Sequence, residues 1–114
     1  MADCLFCKIA TKQIPATIVL EDEKVVAFRD LHPQAPVHIL VIPKQHLTTV
    51  NDVQAEHAAL IGHMIVSAQK LAEAEGIADN GYRLVMNCNG DGGQTVYHIH
   101  LHLLGGRNMH WPPG

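Results

Sequence analysis

The feature that most constrains the fold is a segment near the C-terminus in which histidine alternates strictly with aliphatic residues. The alternation runs through His98, Ile99, His100, Leu101, His102 and Leu103. A β-strand points successive side chains to opposite faces, so a period of two places the three imidazoles on one face and the aliphatic side chains on the other. We therefore predict a strand over residues 96–104 with one face in the core and the other forming a site.

The rest of the chain has the patterns of four more strands and one long helix. The other predicted strands are 17–20, 25–28, 37–42 and 82–86. The strand at 37–42 is almost wholly apolar, so we expect it to be central. Apolar residues recur at helical spacing over about 52–75, with Asn51 or Asp52 as a cap and Gly76 just past the end. A Gly-rich turn at 87–94 should let the last two strands pair antiparallel.

Composition restricts the class of protein. The chain has 114 residues, of which 47% are apolar and 17% charged, and this favours a single domain over residues 1–114. A chain of this size has a thin core, so dimerisation would add useful burial. The net charge is −3 with only eight Lys and Arg residues, which leaves no basic stripe for a phosphate backbone. We therefore expect no nucleic acid partner.

Nothing in the sequence predicts export or membrane insertion. The first residues lack a basic region followed by an apolar run, and nowhere do eighteen apolar residues occur in succession. The three cysteines, Cys4, Cys7 and Cys88, are an odd number and cannot form a full disulfide framework. We expect a cytoplasmic protein with no membrane contact and with free or metal-bound thiols.

The histidine face has three interpretations on spacing alone. It could be a set of solvated surface histidines, although three at strict spacing make this a poor explanation. It could bind a metal, but the outer two positions lie roughly 13 Å apart along a strand, too far for one ion. It could supply a histidine nucleophile whose neighbours neutralise phosphoryl oxygens. The preceding loop, 89–94, favours the third interpretation because its glycines permit a backbone nest for an anion.

The sequence resembles the histidine triad (HIT) superfamily, and within it the Hint branch. The resemblance rests on the His-x-His-x-His segment at 98–102 and on motifs at 28–30, 33–38, 41–44, 81–83, 91–94 and 104–114. It implies an α+β fold in which one long helix packs on a five-stranded antiparallel sheet, and it implies a homodimer. The implied activity is that of a purine nucleoside phosphoramidase, which cleaves the P–N bond of adenosine 5′-monophosphoramidate to give AMP and an amine.

The same resemblance assigns roles to residues of this chain. His100 would be the nucleophile that forms a nucleotidyl-histidine intermediate. His38 and His98 would orient it, although His38 taken alone is a core histidine. His102 would contact the phosphate, and Thr95 would lie near the leaving amine. The implied nucleotide-binding residues are Phe28, Asp30, Leu31, Asn87, Gly93, Gln94, Thr95, His100 and His102. No cofactor is required for this chemistry, since imidazoles that titrate near neutrality can attack and transfer protons.

Cys4 and Cys7 have the two-residue gap of a zinc half-site. Spacing leaves the second half open, and two free thiols at the start of a short helix are the alternative. Some members of the superfamily join such a pair to the histidines that correspond here to His46 and His98. The resemblance therefore implies a structural zinc on Cys4, Cys7, His46 and His98, and a His98 bound to zinc would take only an indirect part in the catalytic cluster.

Three other functions remain open at the level of sequence. The superfamily includes dinucleoside polyphosphate hydrolases, but the C-terminal segment at 104–114 is a poor match for them. The chain could act as a purine nucleotide-binding scaffold whose partner contacts matter more than turnover. A metallohydrolase that uses the histidine row as ligands is the last option.

Overall fold

A computed structural model describes residues 3–114, so Met1 and Ala2 of the predicted domain lie outside the described residues. The helices and strands in chain order are α1 (Leu5–Ala10), β1 (Ile18–Glu21), β2 (Val25–Arg29), β3 (Val37–Pro43), α2 (Ala58–Ala74), β4 (Tyr82–Val85), α3 (Asn89–Gly92) and β5 (Leu101–Gly105). Two single turns of 3₁₀ helix, at Val50–Asp52 and Ala55–His57, precede α2.

The strands form one antiparallel sheet in the order β1-β2-β3-β5-β4. The predicted five-stranded α+β fold is confirmed, with β3 in the centre and β4 paired to β5. In the β3–β5 register, Leu40 lies opposite His102 and His38 lies opposite Leu104. This pairing places a histidine of β3 diagonally across from a histidine of β5 on the same face of the sheet.

Each face of the sheet is covered by a different core. One core packs α2 through Met64, Ala68 and Leu71, and it includes the aliphatic members of the alternating segment, Ile99, Leu101 and Leu103. The opposite core contains Phe6 and Ile9 of α1 with Val26, Phe28, Leu40 and Ile42 of the sheet. Burying each of these larger aliphatic side chains is worth about 1.5–3 kcal/mol. The aliphatic side chains of the alternating segment therefore lie in the α2 core as predicted, whereas the histidine face is itself buried beside a second core that includes α1.

The alternating segment is only partly a strand. β5 begins at Leu101, so His98 and His100 precede it, in a connection that bends at residues 96–98 while Ile99 still joins the core with Leu101 and Leu103. The ladder ends there because β4 stops at Val85, which lies opposite His102, and the β3–β5 register runs no further than Val41 opposite Leu101. Residues 96–100 make contacts outside the sheet ladder. One of these is the hydrogen bond that the Ile99 N–H donates to the carbonyl of Leu47.

The long helix starts later than predicted. The Thr49 hydroxyl accepts a hydrogen bond from the Asn51 N–H, and the Asp52 carboxylate accepts one from the Thr49 N–H. These two hydrogen bonds form a capping box in which Thr49 caps the start of the 3₁₀ turn Val50–Asp52. The helix α2 begins only at Ala58. The predicted end is confirmed, since Gly76 has a φ of +74° just beyond the last turn.

Not every apolar residue of α2 is buried, since Ile65 is 49% exposed and its neighbour Val66 is 47% exposed. In the part of the chain that the structure describes, no helix is long and apolar enough to cross a membrane.

Candidate active site

Three imidazoles form a row on the sheet face that α1 covers. The ring centroids of His100 and His102 lie 5.0 Å apart, and those of His38 and His102 lie 5.2 Å apart. His38 is brought in from β3 by the diagonal pairing with β5. Phe6 of α1 packs edge-on against His100 at a centroid distance of 5.0 Å and an interplanar angle of 88°. The row is thus held between the sheet and a helix.

The hydrogen bonds of His100 determine which nitrogen can react. Its Nδ1 lies 2.8 Å from the carbonyl oxygen of His98, and a carbonyl can only accept. Nδ1 of His100 therefore carries the proton, and Nε2 keeps its lone pair. His98 is fixed in the opposite sense, because its Nε2 donates to the Pro43 carbonyl at 2.8 Å and its Nδ1 is left unprotonated.

His38 and His102 form a directed pair. The backbone N–H of Gln34 donates to Nδ1 of His38 at 3.0 Å, so the neutral ring carries its proton on Nε2. That Nε2 lies 2.9 Å from Nδ1 of His102 and donates to it. The neutral ring of His102 must then carry its own proton on Nε2. The Gln34 amide at Nδ1 and the Asp30 carboxylate 3.4 Å from Nε2 of His38 therefore both favour these proton positions.

Burial keeps these rings neutral. It lowers the pKa of His38, His98 and His100 below the ordinary value. For His102, burial, followed by the charges of His100 and His38, lowers the pKa to about 4. The Asp30 carboxylate, 3.4 Å from Nε2 of His38, works against the shift at that ring but does not reverse it. At neutral pH the row consists of neutral donors and acceptors.

A cavity of about 350 Å³ opens beside the row. Of the residues predicted to bind a nucleotide, those lining it are Phe28, Asp30, Leu31, Thr95, His100 and His102. Asn87, Gly93 and Gln94 do not line it, and neither do His38 and His98. The volume and the mainly apolar walls suit a small ligand with a flat apolar portion and a polar end.

The N-terminal region supplies a part of the cavity wall that lies outside the predicted site residues. Leu5, Phe6 and Ile9 of α1, together with residues 14–16, line the cavity, and Phe6 packs against His100. The apolar i and i+3 spacing of Phe6 and Ile9, just after Cys4, is the pattern that could have indicated a short amphipathic helix there. Cys4 caps that helix by accepting the Cys7 N–H.

The Gly-rich loop differs from the predicted open nest. It folds into α3, and the N–H groups of Gly93 and Gln94 bond within the loop. The side chain of Gln94 is buried, and its amide accepts from the Asn89 N–H and donates to the carbonyls of Thr48 and Val96. These backbone and amide groups are therefore already satisfied, and Thr95, exposed at the cavity wall, is the polar side chain that the loop offers to a ligand.

A second cluster lies at the other end of the alternating segment. Sγ of Cys4 and Nδ1 of His98 are 3.3 Å apart, as are Sγ of Cys7 and Nδ1 of His46. The two histidine Nδ1 atoms are 3.2 Å apart, and all four possible ligand atoms lie within 4.8 Å of one another. Two thiols and two imidazoles at these separations are a donor set that suits tetrahedral zinc.

The lowered pKa of His102 predicts acid destabilisation. The folded state resists protonation that the unfolded chain accepts, so this contribution to stability is complete above about pH 6.5 and is lost as the pH falls towards about 4. We expect the urea midpoint of the wild type to fall over that window. His102→Gln should reduce the slope, whereas His110→Gln, in the exposed tail, should leave it unchanged. Equal slopes for wild type and His102→Gln would contradict the prediction.

Comparison with known proteins places these features in a family. The sequence profile of the HIT domain matches residues 11–109. The chain is 59% identical over 107 residues to a purine nucleoside phosphoramidase of Escherichia coli K12, covering 94% of this chain and 90% of that protein. The crystal structure of a HIT family hydrolase from Legionella pneumophila Philadelphia 1 superposes with a TM-score of 0.97 at 60% identity, covering 98% of this chain and 100% of that one.

A Zn-bound histidine triad family protein from Mycobacterium smegmatis is also similar, with a TM-score of 0.82 at 33% identity over 94% of this chain and 77% of that one. These matches confirm the resemblance drawn from the motifs. On its profile, its relatives and its fold, the chain belongs to the HIT domain family.

Proposed function

We propose that the chain, acting as one HIT domain over residues 1–114, is a purine nucleoside phosphoramidase that converts adenosine 5′-monophosphoramidate-type substrates to AMP and an amine. The observation that supports this most directly is the bond from Nδ1 of His100 to the His98 carbonyl, which leaves Nε2 as a neutral nucleophile at the cavity wall. The 59% identity to the E. coli purine nucleoside phosphoramidase supports the substrate class.

The reaction runs in two displacements at phosphorus. Nε2 of His100 attacks the α-phosphorus, a P–N(His) bond forms, and the P–N bond to the amine breaks as the amine nitrogen takes up a proton. Water then attacks the nucleotidyl-His100, its proton leaves, and AMP and neutral His100 are released. The His98 carbonyl stabilises His100 while the ring becomes positive, since it accepts from Nδ1–H throughout.

The phosphoryl oxygens need donors, and the row supplies one. His102 lines the cavity, and because its Nδ1 accepts from His38, its Nε2–H is the group available to a phosphoryl oxygen. We place the Thr95 hydroxyl beside the departing amine, where it can pass on a proton. Neutral donors suffice to hold a single phosphoryl group, which fits a chain with few Lys and Arg residues.

The nucleoside part of the substrate occupies the rest of the cavity. Phe28 and Leu31 contact the purine, and the Asp30 carboxylate accepts from the ribose hydroxyls. Asn87, Gly93 and Gln94 belong to the nucleotide-binding set as well, and since they do not line the cavity, Gly93 and Gln94 act by shaping the loop that presents Thr95. Asn87 acts at the ribose-phosphate end.

His100→Ala removes the attacking nitrogen and should lower kcat/KM for adenosine phosphoramidate by about 10³-fold or more. His110→Ala, in the exposed tail, is the matched control and should turn over normally. Mass spectrometry of quenched wild type should locate a nucleotidyl group on His100. Wild-type turnover by His100→Ala would disprove the assignment, and faster wild-type turnover of diadenosine triphosphate than of the phosphoramidate would favour the dinucleoside polyphosphate hydrolases.

We also propose a structural zinc on Cys4, Cys7, His46 and His98, with no metal required for catalysis. The tautomer of His98 supports this, because its Nε2–H is donated to Pro43 and its Nδ1 lone pair faces the two thiols. A zinc ion here would fasten the start of α1 to the segments after β3 and before β5. Zinc thiolates and free thiols persist in a reducing compartment, and we place the protein in the cytoplasm on that ground.

Purified wild type should contain about one zinc per chain by elemental analysis. The double variant Cys4→Ser/Cys7→Ser should lose it and unfold at lower temperature, because the ion stabilises only the folded state. Cys88→Ser, which alters a thiol outside the cluster, should keep the metal. A metal-free wild type after growth with added zinc, or a double variant with undiminished zinc, would contradict the proposal.

We propose that the protein is a homodimer. Two observations support a self-association surface: the outer edge of β4 has no strand beside it among the described residues, and Ile65 and Val66 of α2 are half exposed. Sedimentation equilibrium should give twice the 12.5 kDa chain mass. The variant Ile65→Lys/Val66→Lys should weaken the dimer, and a monomeric wild type at micromolar concentration would contradict the proposal.

A further inference from the structure

We propose that Arg107 is a positioning residue for the phosphate-binding His102, acting through the backbone of Gln34 and the ring of His38. The inference rests on the proposed function for its catalytic meaning. Its structural content, the proton positions of two histidines, can be measured without substrate.

The Gln34 backbone is held at both of its polar groups. Its N–H donates to Nδ1 of His38 at 3.0 Å, and its carbonyl accepts from Nε of Arg107 at 3.0 Å. Arg107 also donates from Nη1 to the carbonyl of Asn108 at 3.0 Å, which fixes the orientation of the guanidinium. Arg107 therefore holds the Gln34 amide in the position from which its N–H favours one tautomer of His38.

The loop between β2 and β3, which contains Gln34, makes a second contact with the residues that follow β5. Gly106, immediately before Arg107, has a φ of +90°, and a Cβ there would come within 2.9 Å of Cβ of Pro36. Gly106 thus lets the chain pass close against the same loop and brings the arginine to Gln34. The Gly106-Arg107 pair immediately after β5 has a structural reason in this double contact.

Loss of the hydrogen bond from Arg107 to Gln34 would change the proton position on His102, which lines the cavity. If the Gln34 amide moves away, His38 can carry its proton on Nδ1, and its Nε2 becomes an acceptor. His102 would then donate from Nδ1 to His38 and present a lone pair on Nε2 to the cavity. A phosphoryl oxygen would then face a lone pair on Nε2 of His102 in place of an N–H. Loss of Arg107 would therefore replace an attractive contact with a repulsive one.

The test is the tautomer of each ring, observed by long-range ¹H–¹⁵N NMR on uniformly labelled protein. In the wild type, both His38 and His102 should carry their protons on Nε2. Arg107→Met keeps the aliphatic stem and removes the donor, so both rings should become mixtures of tautomers. We expect kcat/KM for adenosine phosphoramidate to fall by about tenfold, as for loss of a charge-assisted hydrogen bond.

Two matched variants isolate the cause. Arg83→Met breaks a comparable arginine-to-carbonyl bond, from Arg83 to His110 at 2.8 Å, and should leave both tautomers unchanged. Gln34→Ala keeps the backbone N–H and carbonyl while removing the side chain, so it too should preserve them.

Wild-type tautomers in a folded Arg107→Met would overturn the proposal, and so would tautomer loss in Arg83→Met or Gln34→Ala. If Arg107→Met shifts the tautomers but the wild type turns over no phosphoramidate, the proposed function fails and the positioning role stands. If Arg107→Met does not fold, Gln34→Pro removes the same N–H directly, and unchanged tautomers there would overturn the proposal.

Discussion

The antiparallel pairing of β3 with β5 is the interaction on which the rest of the site depends. Its register sets Leu40 opposite His102 and His38 opposite Leu104, and so brings two imidazoles from distant parts of the chain within hydrogen-bond distance. A slip of one residue would move His38 to the face packed by α2. The apolar cores on both faces hold the register, because slippage would bury imidazoles against Met64 and Leu71 and expose aliphatic side chains.

Neutral histidines follow from this burial. The row lies under α1, where Phe6 packs against His100, and desolvation lowers the pKa of every member. A charged row would attract phosphate more strongly but would contain no nucleophile, because a protonated imidazole has no lone pair. The structure keeps the rings neutral and relies on backbone groups, the His98 carbonyl and the Gln34 N–H, to direct each proton.

The sequence predicts the parts of the molecule that local pattern determines. The alternation at 98–103 indicates which side chains share a face, and Gly76 indicates where the long helix ends, because each depends on residues close in the chain. The hydrogen bonds of the Gln94 side chain could not be predicted from local pattern. Its amide is bonded to Thr48, a residue 46 positions away, and only the assembled fold brings that carbonyl near. The same holds for Gln34 and Arg107, which lie 73 positions apart.

Within residues 3–114, two clusters place metal-ligand atoms within 4.8 Å of one another, and hydrogen bonding distinguishes them. In the cysteine cluster, His98 donates its Nε2–H to a carbonyl and directs the Nδ1 lone pair at the thiols. In the cluster of Asp30, His38 and His102, the Gln34 N–H occupies Nδ1 of His38, so the nitrogen facing the other two groups carries a proton. A metal there would have to displace that proton and leave His38 anionic or break its bond to Gln34. The backbone thus suits the cysteine cluster to bind an ion and the Asp30 cluster to present an N–H donor to the cavity, although both contain a pair of histidines.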